Sequence, residues 1–200
     1  MIEDEFFLGP PGCGKDTILA RFVETVGYGH AIGITVSDLI EEEMARNAKA
    51  EAENRALKNG GVNLDDAFVN NLVKDRVLKV PMFMRKGFSG SHRSVPQAKF
   101  LHELILHQGH IPVYFDIELP EEVGLARIEE RFKRLRRPDD DPKVYKRRYA
   151  RYRDYIGPVR EYINSRTTFV HKINGVGTYE EVWARVMPYL HINAPMSESA

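Results

Sequence analysis

The sequence predicts a three-layer α/β fold in which a central parallel sheet is covered by helices on both faces. Short apolar runs alternate with segments of helical periodicity from one end of the chain to the other. The first run, Phe6-Phe7-Leu8, passes through the glycine-rich turn Gly9-Pro10-Pro11-Gly12-Cys13-Gly14-Lys15-Asp16-Thr17 into a helical pattern. A chain of 200 residues, 42% hydrophobic and 29% charged, is also large enough for one domain with a substantial core.

Each element has its own signal. Residues 5–9 read as the first strand, and about 14–26 as a helix with Ile18, Leu19, Phe22, Val23 and Val26 on one face. Ala31 to Val36 is a short apolar run, after which Ser37-Asp38 can cap a helix carrying Ile40 and Met44. Residues 41–59 are highly charged and Ala-rich and stop at Asn59-Gly60-Gly61. Leu64-Asp65-Asp66 opens a helix with Phe68, Val69, Leu72, Val73 and Val77 on one face. A strand is expected within 80–90, and Ser94-Val95-Pro96-Gln97 starts the next helix. Ile111 to Ile117 is a strand, and Pro120-Glu121-Glu122 opens the helix after it. A long Tyr- and Arg-rich helix follows Pro138-Asp139-Asp140-Asp141, then a strand over Phe169–Ile173 and a closing helix from Tyr179 to Leu190. The tail 191–200 is expected to be disordered.

Charge and cysteine content narrow the class. Twenty-nine basic and twenty-nine acidic residues cancel, so no global field favours nucleic acid or an anionic membrane. The single cysteine, Cys13, cannot form an internal disulfide. The start Met1-Ile2-Glu3-Asp4-Glu5 lacks a basic n-region, and no apolar run approaches membrane-spanning length. A cytoplasmic monomer is the expectation.

The glycine-rich turn carries the strongest chemistry. Between a strand and a helix start, glycines let backbone N–H groups close around phosphate oxygens without an obstructing Cβ. The helix dipole and the Lys15 ammonium add positive potential there. This is a P-loop, and the chain is expected to bind a nucleotide.

The chain resembles the adenylate kinases and related nucleoside monophosphate kinases. Thr17 stands two residues after Lys15, as in that family's P-loop. Ile34-Thr35-Val36-Ser37-Asp38-Leu39 is similar to its Ile-Ser-Thr-Gly-Asp-Met stretch, and Leu64 to Val77 to the helix after its monophosphate-binding insertion. Arg93-Ser94-Val95-Pro96-Gln97-Ala98 resembles its Arg-Thr-x-Pro-Gln-Ala, and Arg137-Pro138-Asp139-Asp140 with Arg148 resembles its lid hinge. The likeness runs from about residue 5 to 190. It implies one P-loop kinase domain with core segments 1–35, 69–131 and 139–190. An acceptor-binding insertion would occupy about 36–68, and a short lid about 132–138.

The resemblance also implies roles. Lys15 would cradle the donor's phosphates, while Arg127, Arg131, Arg137 and Arg148 converge on the transferring group. Gly9, Gly12, Cys13, Gly14, Asp16, Thr17 and Val176 complete an ATP site, with Mg²⁺ arriving on ATP and no direct protein ligand to the metal. Asp38, Gly90, Arg93, Gln97, Arg137 and Arg148 would face the monophosphate, and Asp139 and Asp140 would lie on the lid side. The turn Asn174-Gly175-Val176-Gly177 resembles the loop facing the donor adenine; an ordinary glycine turn before a helix is the other reading. Of the basic run, Arg131 and Arg137 are read as phosphate-binding, and Lys133, Arg134 and Arg136 as a solvated face.

The acceptor side departs from the family pattern. Val36 stands where a Thr is usual, and Glu41 where an arginine usually meets the phosphate. Asp-Gly-Phe-Pro-Arg becomes Ser89-Gly90-Ser91-His92-Arg93, or Lys86-Gly87-Phe88-Ser89 with an insertion; both lose the aspartate. Asp16 is unusual directly after the P-loop lysine and is a candidate to replace that acidic group. Cys13 stands beside Lys15 and a helix start, surroundings that lower a thiol pKa and favour oxidation, but the preferred reading is that it simply fills a small-residue position. His92 is given no catalytic role, and His102, His107 and His110 lack metal-site spacing. Gln97 can both donate to and accept from adenine's edge, which favours AMP as acceptor. The expected reaction is ATP + AMP to 2 ADP. A kinase for UMP or CMP, or a nucleotide binder without phosphotransfer, are the alternatives.

Overall fold

The computed structural model describes residues 1–59, 62–136 and 140–191. Five strands, β1 (Glu3–Leu8), β2 (Ala31–Thr35), β3 (Arg85–Ser89), β4 (Ile111–Glu118) and β5 (Val170–Asn174), form one sheet in the order β2-β3-β1-β4-β5. Every pairing is parallel, with Phe6 beside both Phe88 and Tyr114. All five carboxyl ends therefore reach one edge, where such sheets bind ligands.

Alternation along β1 builds two cores. Phe6 faces one side, stacked on Phe88 at 4.7 Å and Tyr114 at 4.9 Å. That side is covered by α2 (Val36–Arg46), α4 (Asp66–Lys79), α5 (Val95–His107) and α7 (Pro142–Arg166). Phe7 faces the other side, against α1 (Lys15–Val26) and α8 (Tyr179–Val186). The remaining helices are α3 (Ala48–Asn59) and α6 (Glu121–Leu135), and a 3-10 turn, Met187–Tyr189, follows α8. Among the described residues no helix is long and apolar enough to cross a membrane.

Several boundaries differ from the sequence expectation for physical reasons. β1 starts at Glu3, because Asp4 and Glu5 are buried against partners that only the sheet provides. Asp4 accepts from the Lys86 backbone N–H at 2.7 Å and lies 3.0 Å from His110 Nδ1, while Glu5 pairs with Arg85. The helix after β2 begins at Val36, one residue before the Ser37-Asp38 cap read from the sequence. The charged stretch 41–59 is two helices, broken at Asn47, whose extended backbone ends α2 and whose side chain accepts from Ala50 N. Pro188 turns the last residues into a 3-10 turn, so α8 ends at Val186. α6 continues through Leu135 into the segment expected as a lid and closes at Arg136, with φ 52°. The tail segment 192–200 lies outside the described residues.

Candidate active site

The loop from Gly9 to Gly14 owes its shape to three glycines at positive φ: 147° at Gly9, 83° at Gly12 and 86° at Gly14. A Cβ on Gly12 would stand 2.6 Å from the Gly124 carbonyl, so the loop docks on α6 backbone to backbone. Gly124 must itself lack a side chain, since its Cβ would meet Tyr145 Oη at 2.6 Å and Pro11 O at 2.9 Å. α1 then starts at Lys15 and aims its amino end at the loop.

Two chambers open at the carboxyl edge of the sheet. One lies over the P-loop and α6 and is lined by Gly12, Gly14, Lys15, Asp16, Thr17, Arg127, Arg131, Arg134 and Arg148. The second lies between β1, β3, the 36–64 segment and α7. Its wall includes Gly9, Ser37, Ile40, Asn63, Gly90, Arg93, Arg151 and Tyr155. Pro11, Lys15, Asp16, Arg131 and Arg148 line both, so the chambers meet at a wall of three cations and one carboxylate.

Lys15, Arg131 and Asp16 on that shared wall are each held by neighbours. Lys15 Nζ lies 3.4 Å from the Pro10 carbonyl. The Arg131 guanidinium forms a two-pronged pair with buried Asp140, at 2.6 Å from Nε and 2.5 Å from Nη2. Such a fork fixes the plane of the group. The Ser89 hydroxyl, at the end of β3, donates to the Asp16 carboxylate. Asp16 is exposed as a residue, yet its carboxylate is crowded by protein atoms. That crowding opposes ionisation; Lys15, the Ser89 hydrogen bond, Arg131 and Arg93 outweigh it and hold the carboxyl below its ordinary range.

Arg127 bridges the P-loop and the 174–177 turn. Its Nη2 donates to the Gly175 and Gly177 carbonyls at 3.0 and 2.8 Å, and its Nη1 lies 3.5 Å from Gly12 O. The 174–177 turn, with Val176 partly exposed at its tip, is thereby tied to the P-loop. Arg185 adds hydrogen bonds to the carbonyls of Asn174 and Val176.

The other residues singled out from the sequence distribute unevenly. Gly90 and Arg93 face the second chamber. Asp38 points to solvent on the first turn of α2, and its neighbour Ser37 reaches the wall instead. Gln97 is buried, its Oε1 accepting from Arg93 N at 3.0 Å and its Nε2 donating to Asp66 at 2.8 Å, and it is not among the lining residues. Arg137 and Asp139 lie outside the described residues. Cys13 requires a correction: burial dominates over the nearby Lys15, and the thiol is pushed up, away from ready oxidation. His92 is buried beside Phe6 and Tyr114, and burial, aided by His102, pushes it down to about 3.

Some wall residues were not anticipated. Arg134, read as solvated, completes an i, i+4, i+7 stripe with Arg127 and Arg131, and that spacing was a usable signal. Arg151, one turn after Arg148, offered a similar one. Lys58 and Asn63 offered none, because only the folding of the 36–64 segment over β3 brings them in.

A family model described as an AAA domain matches residues 8–146, more than half of the chain. The adenylate kinase of Mycobacterium tuberculosis is 32% identical over 181 residues, 90% of this chain and 94% of the relative. The chain belongs to the adenylate kinase family. The adenylate kinase of Thermus thermophilus is 28% identical over 187 residues, covering 93% of this chain and 96% of its own. That of Stenotrophomonas maltophilia is 28% identical over 183 residues, covering 90% and 95%. The likeness spans almost the whole length of these adenylate kinases, so it takes in the 36–64 segment.

Proposed function

We propose that this chain is a nucleoside monophosphate kinase that moves the terminal phosphoryl group of ATP to AMP, giving two ADP. The observation that carries the reading is the wall shared by the two chambers, where Lys15, Arg131 and Arg148 converge. Phosphoryl transfer asks for in-line positioning and charge neutralisation more than for covalent help from the protein. ATP in the chamber over the P-loop and a monophosphate in the other would bring donor and acceptor phosphates to that wall. Arg131, with its plane set by Asp140, offers paired N–H groups to the transferring group. The acceptor oxygen is already ionised, so no general base is required, and the neutral imidazole of His92 needs no part in the step.

Mg²⁺ belongs to this proposal as the partner of ATP. Among the described residues no three His, Cys, Asp or Glu side chains come together to hold a metal. An ion that keeps several waters and binds through phosphates suits such a site. Asp16, ionised, and Thr17, beside it on the first turn of α1, both line the donor chamber and would hold that ion through its waters and the nucleotide. When bound, Mg²⁺ supplies neutralisation of the phosphate charge.

One observation favours a second reading of the acceptor. The Gln97 amide is already committed to Asp66 and to Arg93 N, so the base meets other groups first, Asn63 among them. UMP or CMP is the alternative acceptor on that ground. The deciding experiment is ADP formation from AMP and Mg·ATP in a coupled assay, with folded Lys15→Ala as control. Turnover abolished by that substitution supports the proposal. Absence of turnover with AMP, UMP, CMP and GMP removes it.

A further inference from the structure

Among the described residues, the 36–64 segment contributes one cation to the acceptor-chamber wall, Lys58 on α3. Its other contributions are Ser37, Ile40, Val62, Asn63 and Leu64, which are uncharged. The Lys58 ammonium donates to Glu41 Oε1 on α2. The other oxygen of Glu41 accepts from Arg55 Nη1 at 2.6 Å, and Arg55 also reaches Glu51 at 3.2 Å. Neither Glu41 nor Arg55 lines the chamber.

Glu41 thus lies behind an ammonium rather than in front of a ligand. Burial opposes its ionisation, but the hydrogen bonds from Lys58 and Arg55 prevail and keep the carboxyl below its ordinary range. A lysine on a free four-carbon stem samples many rotamers, and holding it in one lowers the cost of binding. An ammonium has three N–H donors, so one spent on Glu41 leaves two for a phosphate oxygen.

We propose that Lys58 contacts the acceptor's phosphate and that Glu41 is its positioning residue. The proposal rests on the monophosphate-kinase reading above and deepens it: the carboxylate that would repel a phosphate from position 41 instead aims a cation at it from position 58.

Titration calorimetry of the full chain with AMP, CMP and UMP, and separately with ATP, tests this. For each monophosphate that the natural chain binds, Lys58→Met should weaken affinity by about tenfold to a hundredfold, as loss of a charge-assisted hydrogen bond does. Lys58→Arg should retain most of it, Glu41→Gln should fall between the two, and ATP affinity should hold throughout. Arg55→Met is the control, since it breaks the same α2–α3 link outside the chamber. A merely structural pair predicts equal losses for Arg55→Met and Lys58→Met, and that result overturns the proposal. So does a Lys58→Met chain that binds monophosphate as the natural one does. A natural chain that binds none of the three overturns the monophosphate-kinase reading together with this inference.

Discussion

The hydroxyl of Ser89 donates to the carboxylate of Asp16, joining the end of β3 to the first turn of α1 on the wall between the two chambers. The acidic group absent from the end of β3 is thus present one side chain away, on the P-loop helix. Two departures from the family pattern, separate in the sequence, are one contact in the fold.

If Asp16 holds a water of the nucleotide's Mg²⁺, Asp16→Asn should raise the Mg²⁺ concentration needed for half-maximal activity. The same variant should shrink the gain in ATP affinity that Mg²⁺ confers in calorimetry. Loss of a charge-assisted hydrogen bond corresponds to roughly tenfold or more. Ser89→Ala should act in the same direction and more weakly. A Mg²⁺ dependence unchanged in Asp16→Asn contradicts the assignment.

Asp140 fixes the plane of Arg131 and is itself fully buried. Asp140→Asn should lower kcat by roughly tenfold to a hundredfold, as misplacement of a catalytic group does. The KM for ATP should move much less, because Lys15 and the loop remain. A KM effect without a kcat effect would reassign Asp140 to binding.

Gly124 is tested by stability. Its Cβ would press on Tyr145 Oη and Pro11 O, so Gly124→Ala should destabilise the fold by about 1–3 kcal/mol, typical of overpacking. The loop it supports should lose ATP affinity in step. Chemical denaturation at the unaltered stability of the natural chain would contradict the close packing.

Glu5 gives a pH signature. Burial pushes its carboxyl up to about 8 from 4.5, against the pull of Arg85. A group that holds its proton more tightly when folded contributes stability that is complete below its unfolded pKa and lost as pH rises through the folded one. This contribution therefore declines between about pH 4.5 and pH 8. His92 runs the other way: its depressed value of about 3 gives stability present above 6.5 and lost as pH falls toward 3. Denaturant titrations across this range should show a flatter profile for Glu5→Gln between pH 4.5 and 8. A profile parallel to that of the natural chain would contradict the buried, protonated carboxyl.

What the sequence disclosed followed the range of the forces involved. The P-loop was legible because glycine freedom, Lys15 and the helix start act within nine consecutive residues. The helices opened by Asp65 and Ser94 were legible for the same reason: each cap bonds a backbone N–H three residues on. Glu3 and Asp4 did not read as strand, because the groups that hold them there, Arg85 for Glu3 and Lys86 and His110 for Asp4, are distant in the chain. Glu41 reads as a defect in the sequence because Arg55 and Lys58, which hold its two oxygens, lie 14 and 17 residues further along the chain. Gln97 read as a base contact, yet its amide turns to Asp66, a residue whose approach no local pattern encodes.

On the proposed function, the two chambers hold a nucleoside triphosphate and a nucleoside monophosphate about one transfer point. The most direct test of that function is kcat/KM for a panel of AMP, UMP, CMP and GMP at fixed Mg·ATP. At least one should turn over, with AMP preferred, and Lys15→Ala should abolish that turnover. ATP binding with no saturable monophosphate binding and no turnover across the panel would contradict it.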